Sequence, residues 1–143
     1  MGLRATLYQI AKEQYRETGQ GKSYVDGIDE SVTPLSLDRS WGCISYLITQ
    51  DENASFLNTG RQCENVCEHC EAHSPEAVSE LATYLDECES STIMQRYDSH
   101  TLRHLGVYEA DYPKIDISNY LVQFTDFVRS AKNVGNGILV VIC

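Results

Sequence analysis

The run of residues that closes this 143-residue chain constrains its fold more than any other feature. Ile138–Ile142 are all aliphatic, and a continuous apolar run of this length is typical of a strand inside a sheet. Gly135 and Gly137 mark a turn just before it. We therefore expect the C-terminus to lie in a sheet, with an amphipathic helix leading into it.

The rest of the chain supplies a second strand and several helices. Alternation of apolar and polar residues predicts a strand over Leu3–Ile10. Helical spacing and capping signals predict helices over 11–17, Leu37–Thr49 (capped by Ser36 or Asp38), a segment starting at Ser74 and Pro75, Thr92–Tyr97, Ser99–Leu105 and Asp116–Lys132. Trp41 is expected to be the largest buried side chain of its helix. The predicted fold is α+β: residues 1–143 form a single compact domain, with the N- and C-terminal strands in one small sheet packed with several helices.

Composition excludes several classes of protein. The net charge is −10 and the pI is near 4.7, which argues against nucleic-acid binding because phosphate contacts need clustered Lys and Arg. No window approaches the ~18 consecutive apolar residues of a membrane span, and no secretory signal is visible at the start. We expect a cytoplasmic protein that does not bind membranes.

The negative charge is concentrated in the middle of the chain. Residues 51–90 hold ten acidic residues and one basic residue, Arg61, and so carry nine of the ten net negative charges. A field of one sign favours a basic protein partner, and Glu64, Glu68 and Glu71 are the candidate partner-binding residues. The alternative interpretation is a solvated acidic surface that serves solubility.

A cysteine cluster lies within the same acidic stretch. Residues 51–73 are expected to form an acidic, cysteine-rich connection inside the domain, with Cys63, Cys67 and Cys70 spaced C-x3-C-x2-C. On a helix these three sulfurs would share one face, and His73 or Cys88 could complete a tetrahedral zinc site. The alternative is a set of reduced cysteines without metal, with Cys143 as a free terminal thiol, since disulfides are uncommon in the cytosol. Zinc is the one cofactor that the sequence suggests.

Several short segments of the sequence together resemble those of a known family. They are Met1–Ala5, Leu37–Trp41, Tyr46–Thr49, Ser74–Val78, Arg96–Asp98, Gly106–Tyr108 and Tyr112-Pro113, followed by the helix with Phe124 and Phe127 and the closing strand. The chain resembles the YfbM-like bacterial proteins, a domain family of unknown function. The resemblance implies a mixed helix-and-sheet bacterial cytoplasmic domain and no particular reaction. The cysteine cluster departs from the family pattern, which has a glycine-rich connection there.

No catalytic constellation emerges from the sequence. There is no G-x-S-x-G elbow, and the acidic surroundings of Cys63–Cys70 disfavour a reactive thiolate. The sequence therefore favours a non-enzymatic protein-binding module with an acidic face. One alternative is an immunity or inhibitor protein for a basic toxin, and the other is an enzyme of unrecognised type.

Overall fold

A computed structural model describes residues 2–17, 24–54, 56, 61–62 and 69–143. The elements follow the order β1 (Ala5–Ile10), α1 (Lys12–Glu17), a 3-10 helix (Tyr24–Gly27), β2 (Leu35–Asp38), α2 (Trp41–Thr49), β3 (Arg61–Gln62), β4 (His69–His73), α3 (Pro75–Glu87), α4 (Ser90–Met94), α5 (Ser99–His104), α6 (Lys114–Val134) and β5 (Gly137–Ile142). Among these residues no helix is both long enough and apolar enough to cross a membrane.

The strands form one antiparallel sheet in the order β2-β1-β5-β4-β3. Strand β5 lies at its centre, between β1 and β4, as its apolar sequence predicts. Side chains alternate across the sheet: Ile138, Val140 and Ile142 join the main core beneath the helices, whereas Leu139 joins a smaller core on the opposite face. The α+β prediction is confirmed, and both terminal strands belong to one sheet.

Two predicted helix boundaries are confirmed by their caps. Ser74 precedes α3, and its hydroxyl accepts a hydrogen bond from the Ala77 N–H at 3.0 Å, with Pro75 at the first helical position. This arrangement satisfies one of the unpaired N–H groups of the first turn. At the other end of the chain, Gly135 closes α6 in the left-handed conformation, with φ of 76°, a geometry that glycine adopts without strain.

The predicted start of the Trp41 helix at Leu37 is wrong. Residues Leu35–Asp38 form strand β2, an edge of the sheet, and the helix begins only at Trp41 after Ser40. Asp38 adopts a left-handed conformation with φ of 48°, which interrupts any continuous helix between Leu37 and Trp41. The Leu37 side chain contributes to the core from the strand instead.

The cysteine-rich connection contains a strand of the sheet. Residues His69–His73 form β4, which pairs with β5 along its length and with the short strand β3 on its other side. The sequence places the three sulfurs on one face only if the segment is helical. Cys70 lies on a strand, so this condition is not met there. Residues 63–68 lie outside the described part of the chain.

Candidate functional site

A concave surface with aromatic and charged groups lies where the N-terminus, α2 and the segment after α5 meet. We call it the aromatic cleft and define it by Leu3, Trp41, Tyr46, Asp51, Glu52 and Tyr108. Its volume is about 410 Å³, which is within the ~300–1,000 Å³ range of small-ligand sites. Three aromatic rings and two carboxylates thus converge on one cavity.

Hydrogen bonds fix the position of two of the rings. The Leu3 N–H donates to the Tyr108 hydroxyl at 2.6 Å, and the Trp41 indole N–H donates to the Leu3 carbonyl oxygen at 2.9 Å. The two rings stack with centroids 4.9 Å apart and an interplanar angle of 22°. Trp41 is half-buried, so the expectation that it is the largest buried group of its helix is wrong. Its ring instead lines the cleft, with its polar atom satisfied.

A glycine allows helix α2 to approach Tyr108 closely. A Cβ atom added to Gly42 would lie 2.9 Å from the Tyr108 Cβ and 3.0 Å from its carbonyl oxygen. These separations are shorter than a carbon atom tolerates, so any larger residue would push Tyr108 away from α2. Gly42 therefore helps to hold Tyr108 beside Trp41.

The two carboxylates follow directly from the end of α2. The helix stops at Gln50, which has φ of 54°, and the chain then turns at Asp51, whose Oδ1 accepts from the Asn53 N–H at 2.9 Å. This turn, of a kind common for aspartate, places Asp51 and Glu52 beside the rings of the cleft. No described residue that lines the cleft is basic, so the cavity favours a cation over an anion.

A buried thiol lies beneath the cleft on the same helix. The Cys43 thiol donates towards the Glu109 carbonyl oxygen at 3.5 Å. Burial, assisted by the negative charge of Glu109, raises the pKa of Cys43 to about 11. The thiol is therefore protonated at neutral pH and contributes packing, not nucleophilic chemistry.

The structure describes one of the three residues that the sequence suggested for partner binding, and it places that residue in the core. Glu71 is fully buried, and its carboxylate lies 2.8 Å from the Nε2 atom of His73, which is also buried. A partner cannot reach this carboxylate while β4 stays in the sheet, because both side chains face the core beneath the helices. Glu64 and Glu68 lie outside the described residues and stay predictions.

The strand separates two of the suggested metal ligands. Cys70 packs with Ile10 and Leu139 on one face of the sheet, whereas His73 lies edge-on to Phe56 on the other face. Side chains three residues apart on a strand point in opposite directions, so β4 does not bring Cys70 and His73 together. Cys63 and Cys67 lie outside the described residues, and the described part of the chain holds no group of three possible metal ligands.

The expectation of a free terminal thiol is wrong for Cys143, which is disulfide-bonded. Cys43, Cys70 and Cys88 are not in disulfides. Strand pairing accounts for the position of Cys143: Ile142 lies opposite His69, which brings the end of β5 to the start of β4.

These features can be set beside known proteins. The chain matches a family described as Domain of unknown function (DUF1877) over residues 1–141, and it belongs to that family. A comparison with curated proteins gave no match.

A solved structure shows the same fold over nearly the whole chain. It is the crystal structure of YfbM from Escherichia coli, described as a protein of unknown function. The two share 11% sequence identity with a TM-score of 0.68, and the match covers 98% of this chain and 99% of that one. At this identity the likeness establishes the fold alone, so the function must be argued from the site.

Proposed function

We propose that this protein is a non-enzymatic protein-binding module, and that its aromatic cleft receives a lysine or arginine side chain of a basic partner. The observation that carries the proposal is the convergence of the Trp41 and Tyr108 rings with the carboxylates of Asp51 and Glu52 in one cavity. An aromatic ring attracts a cation by about 0.5–2 kcal/mol, depending on how far the pair is desolvated. The carboxylates add Coulombic attraction and steer the approach.

Further exposed carboxylates support a basic partner. Glu76, Glu80 and Glu87 are exposed on α3, and Glu89 follows them. Asp86 differs, because it pairs with Arg129 at 2.7 Å. The exposed, negatively charged face of α3 would speed encounters with a basic protein without contributing much affinity.

The narrower alternative is an immunity or inhibitor protein that covers a basic toxin, in the bacterial, cytoplasmic setting that the family resemblance implies. It needs the same cleft and the same acidic field, so it is one form of the proposal. The enzymatic alternative has less support: within the described residues, the side chains lining the cleft include neither histidine nor cysteine to serve as base or nucleophile.

Trp41 provides a direct test, since it is the single tryptophan of the chain. Its fluorescence should change saturably on titration with N-acetyl-arginine amide or N-acetyl-lysine amide, and not with the neutral N-acetyl-glutamine amide. Replacing both rim acids (Asp51→Asn with Glu52→Gln) should weaken binding at least about threefold, as expected for two partly exposed charges. Asparagine retains the oxygen that accepts from the Asn53 N–H, so the turn is preserved.

The matched control makes the same charge change on α3, with Glu76→Gln and Glu80→Gln, and should leave the affinity within error. An equal response to the neutral amide would contradict the proposal. So would unchanged binding in the variant with both rim acids replaced.

Zinc binding by Cys63, Cys67 and Cys70 is a separate proposal with a structural role. It applies to the reduced chain, because a sulfur that forms a disulfide with Cys143 cannot also be a zinc thiolate. It rests on the sequence spacing. His73 lies on the face of β4 opposite Cys70, so a group other than His73 would supply the fourth ligand. Protein purified without chelator should contain one zinc per chain by elemental analysis. Cys70→Ser should remove the metal, and a substoichiometric metal content in the unmodified protein ends the proposal.

A further inference from the structure

A second cavity lies between the edge strand β2 and the start of helix α6, away from the aromatic cleft. We call it the polar groove and define it by Asp38, Tyr112, Asp116, Asn119, Tyr120 and Gln123. Its volume is about 550 Å³, again within the range of small-molecule sites. All six side chains carry a hydrogen-bonding group, which distinguishes this cavity from the aromatic cleft.

The carboxylate of Asp38 is held in place by two neighbours. Arg4 Nε lies 2.9 Å from its Oδ1, and the Tyr112 hydroxyl donates to its Oδ2 at 3.2 Å. The backbone also contributes, because the register between β1 and β2 shifts beside this residue and Asp38 takes a left-handed conformation. A bulge of this kind re-aims a side chain, so the groove has a carboxylate whose direction is set before any ligand arrives.

The aromatic wall of the groove is fixed in a similar way. The rings of Tyr112 and Tyr120 meet edge to face, with centroids 6.0 Å apart. The Tyr112 carbonyl oxygen accepts from the Tyr97 hydroxyl at 2.9 Å, which anchors the loop before α6. Two positioned phenol rings therefore stand next to the amides of Asn119 and Gln123.

The lining selects the chemistry of a ligand. Among the described lining residues there is no lysine or arginine for an anion and no aliphatic side chain for an apolar ligand. Arg4 offsets the charge of Asp38, so a cation would be attracted by the single carboxylate of Asp116. Carboxylates, amides and hydroxyls offer both acceptors and donors, which suits a neutral molecule with many hydroxyl groups.

We propose that the polar groove binds a neutral, polyhydroxylated small molecule of the monosaccharide class. Its hydroxyls would pair with Asp116, Asn119 and Gln123, and its C–H face would lie against a tyrosine ring. The observation behind this proposal is separate from the aromatic cleft, so either proposal can fail without the other.

Saturation-transfer difference NMR tests the proposal with four probes: D-glucose, D-galactose, D-mannose and D-ribose. At least one should receive saturation from the protein, and its affinity should fall at least about fivefold in a variant with Asn119→Ala and Gln123→Ala, which loses two hydrogen-bonding groups. Both residues are exposed on α6, and alanine favours a helix, so the fold should be preserved. Asn133→Ala, an exposed asparagine at the far end of the same helix, should leave binding unchanged.

Two further readouts decide between outcomes. Trp41 fluorescence should not respond to the sugar, because Trp41 lines the other cavity. Absence of transfer to all four sugars would overturn the proposal, as would transfer that the double variant leaves unchanged. Binding of N-acetyl-lysine amide in the groove without any sugar binding would also overturn it.

Discussion

Replacing Glu71 by alanine should lower the free energy of unfolding by about 1–3 kcal/mol, because it removes the carboxylate that is hydrogen-bonded to the buried His73 ring. The magnitude follows from burial: Glu71 is 0% exposed, His73 is 4% exposed, and the two are joined by a contact of 2.8 Å. Total stabilities of domains are about 5–15 kcal/mol. The substitution should therefore remove a measurable share of the stability.

The assay is urea unfolding followed by circular dichroism, with linear extrapolation to water. Glu80→Ala serves as the matched control, because Glu80 is an exposed acid of the same type. The free energy of unfolding of this variant should stay within about 0.5 kcal/mol of the unmodified protein. The loss of stability for Glu71→Gln should fall between those of Glu71→Ala and Glu80→Ala, at about 1–2 kcal/mol, because the glutamine amide oxygen can still accept from the His73 ring.

A loss below about 1 kcal/mol for Glu71→Ala would refute the reasoning, because a buried polar group that loses its partner costs at least that much. Such a result would mean that Glu71 reaches water in solution. The residue would then regain the role in partner binding that its sequence position suggests.

Three other predictions concern single side chains. Tyr108→Phe should cost about 1–3 kcal/mol in urea unfolding, because the Leu3 N–H loses its acceptor. Cys43, with its pKa raised to about 11 by burial, should resist iodoacetamide in the folded protein at about pH 8 and react on unfolding, as mass spectrometry can show. The Thr101 hydroxyl and backbone N–H donors lower the pKa of Asp98. The ionised carboxylate therefore stabilises the folded protein at pH values above the pKa of Asp98 in the unfolded chain, and this stabilisation is lost as the pH falls through the lower pKa of the folded protein. Asp98→Asn keeps the helix cap and should weaken this acid dependence between about pH 5 and pH 3.

The elements that sequence predicts well are those fixed by local rules. Helix α3 begins where Ser74 and Pro75 place it, and α6 ends at Gly135, because caps depend on neighbouring residues. The closing strand lies inside the sheet because its side chains are apolar on both faces. For the two helix ends the deciding interaction spans only a few residues, and for the strand the deciding signal is its own apolar run.

The elements that sequence misses depend on distant partners. Strand β4 has a polar sequence, which does not predict a place inside the sheet. Glu71 and His73 can be buried there because their side chains are hydrogen-bonded to each other, and the backbone of β4 pairs with β5. The pairing of Leu3 with Tyr108 spans 105 residues, so no local pattern identifies the aromatic cleft. A signal was present in the aromatic residues Trp41 and Tyr108, but their spacing in sequence does not show that they stack.

The fold also changes the meaning of the acidic middle segment. The charges in its described part do not act as one surface: Glu71 is inside the core, Asp51 and Glu52 border the aromatic cleft, and the exposed acids of α3 lie on a separate helix. Only charges close to a bound cation contribute much to affinity, because exposed charges more than about 10 Å apart are screened by salt. Asp51 and Glu52 should therefore determine the affinity for a basic side chain. The exposed acids on α3 should determine the association rate of the protein that carries it. Reversing the α3 charges should lower the association rate and leave the dissociation rate unchanged, whereas neutralising Asp51 and Glu52 should raise the dissociation rate.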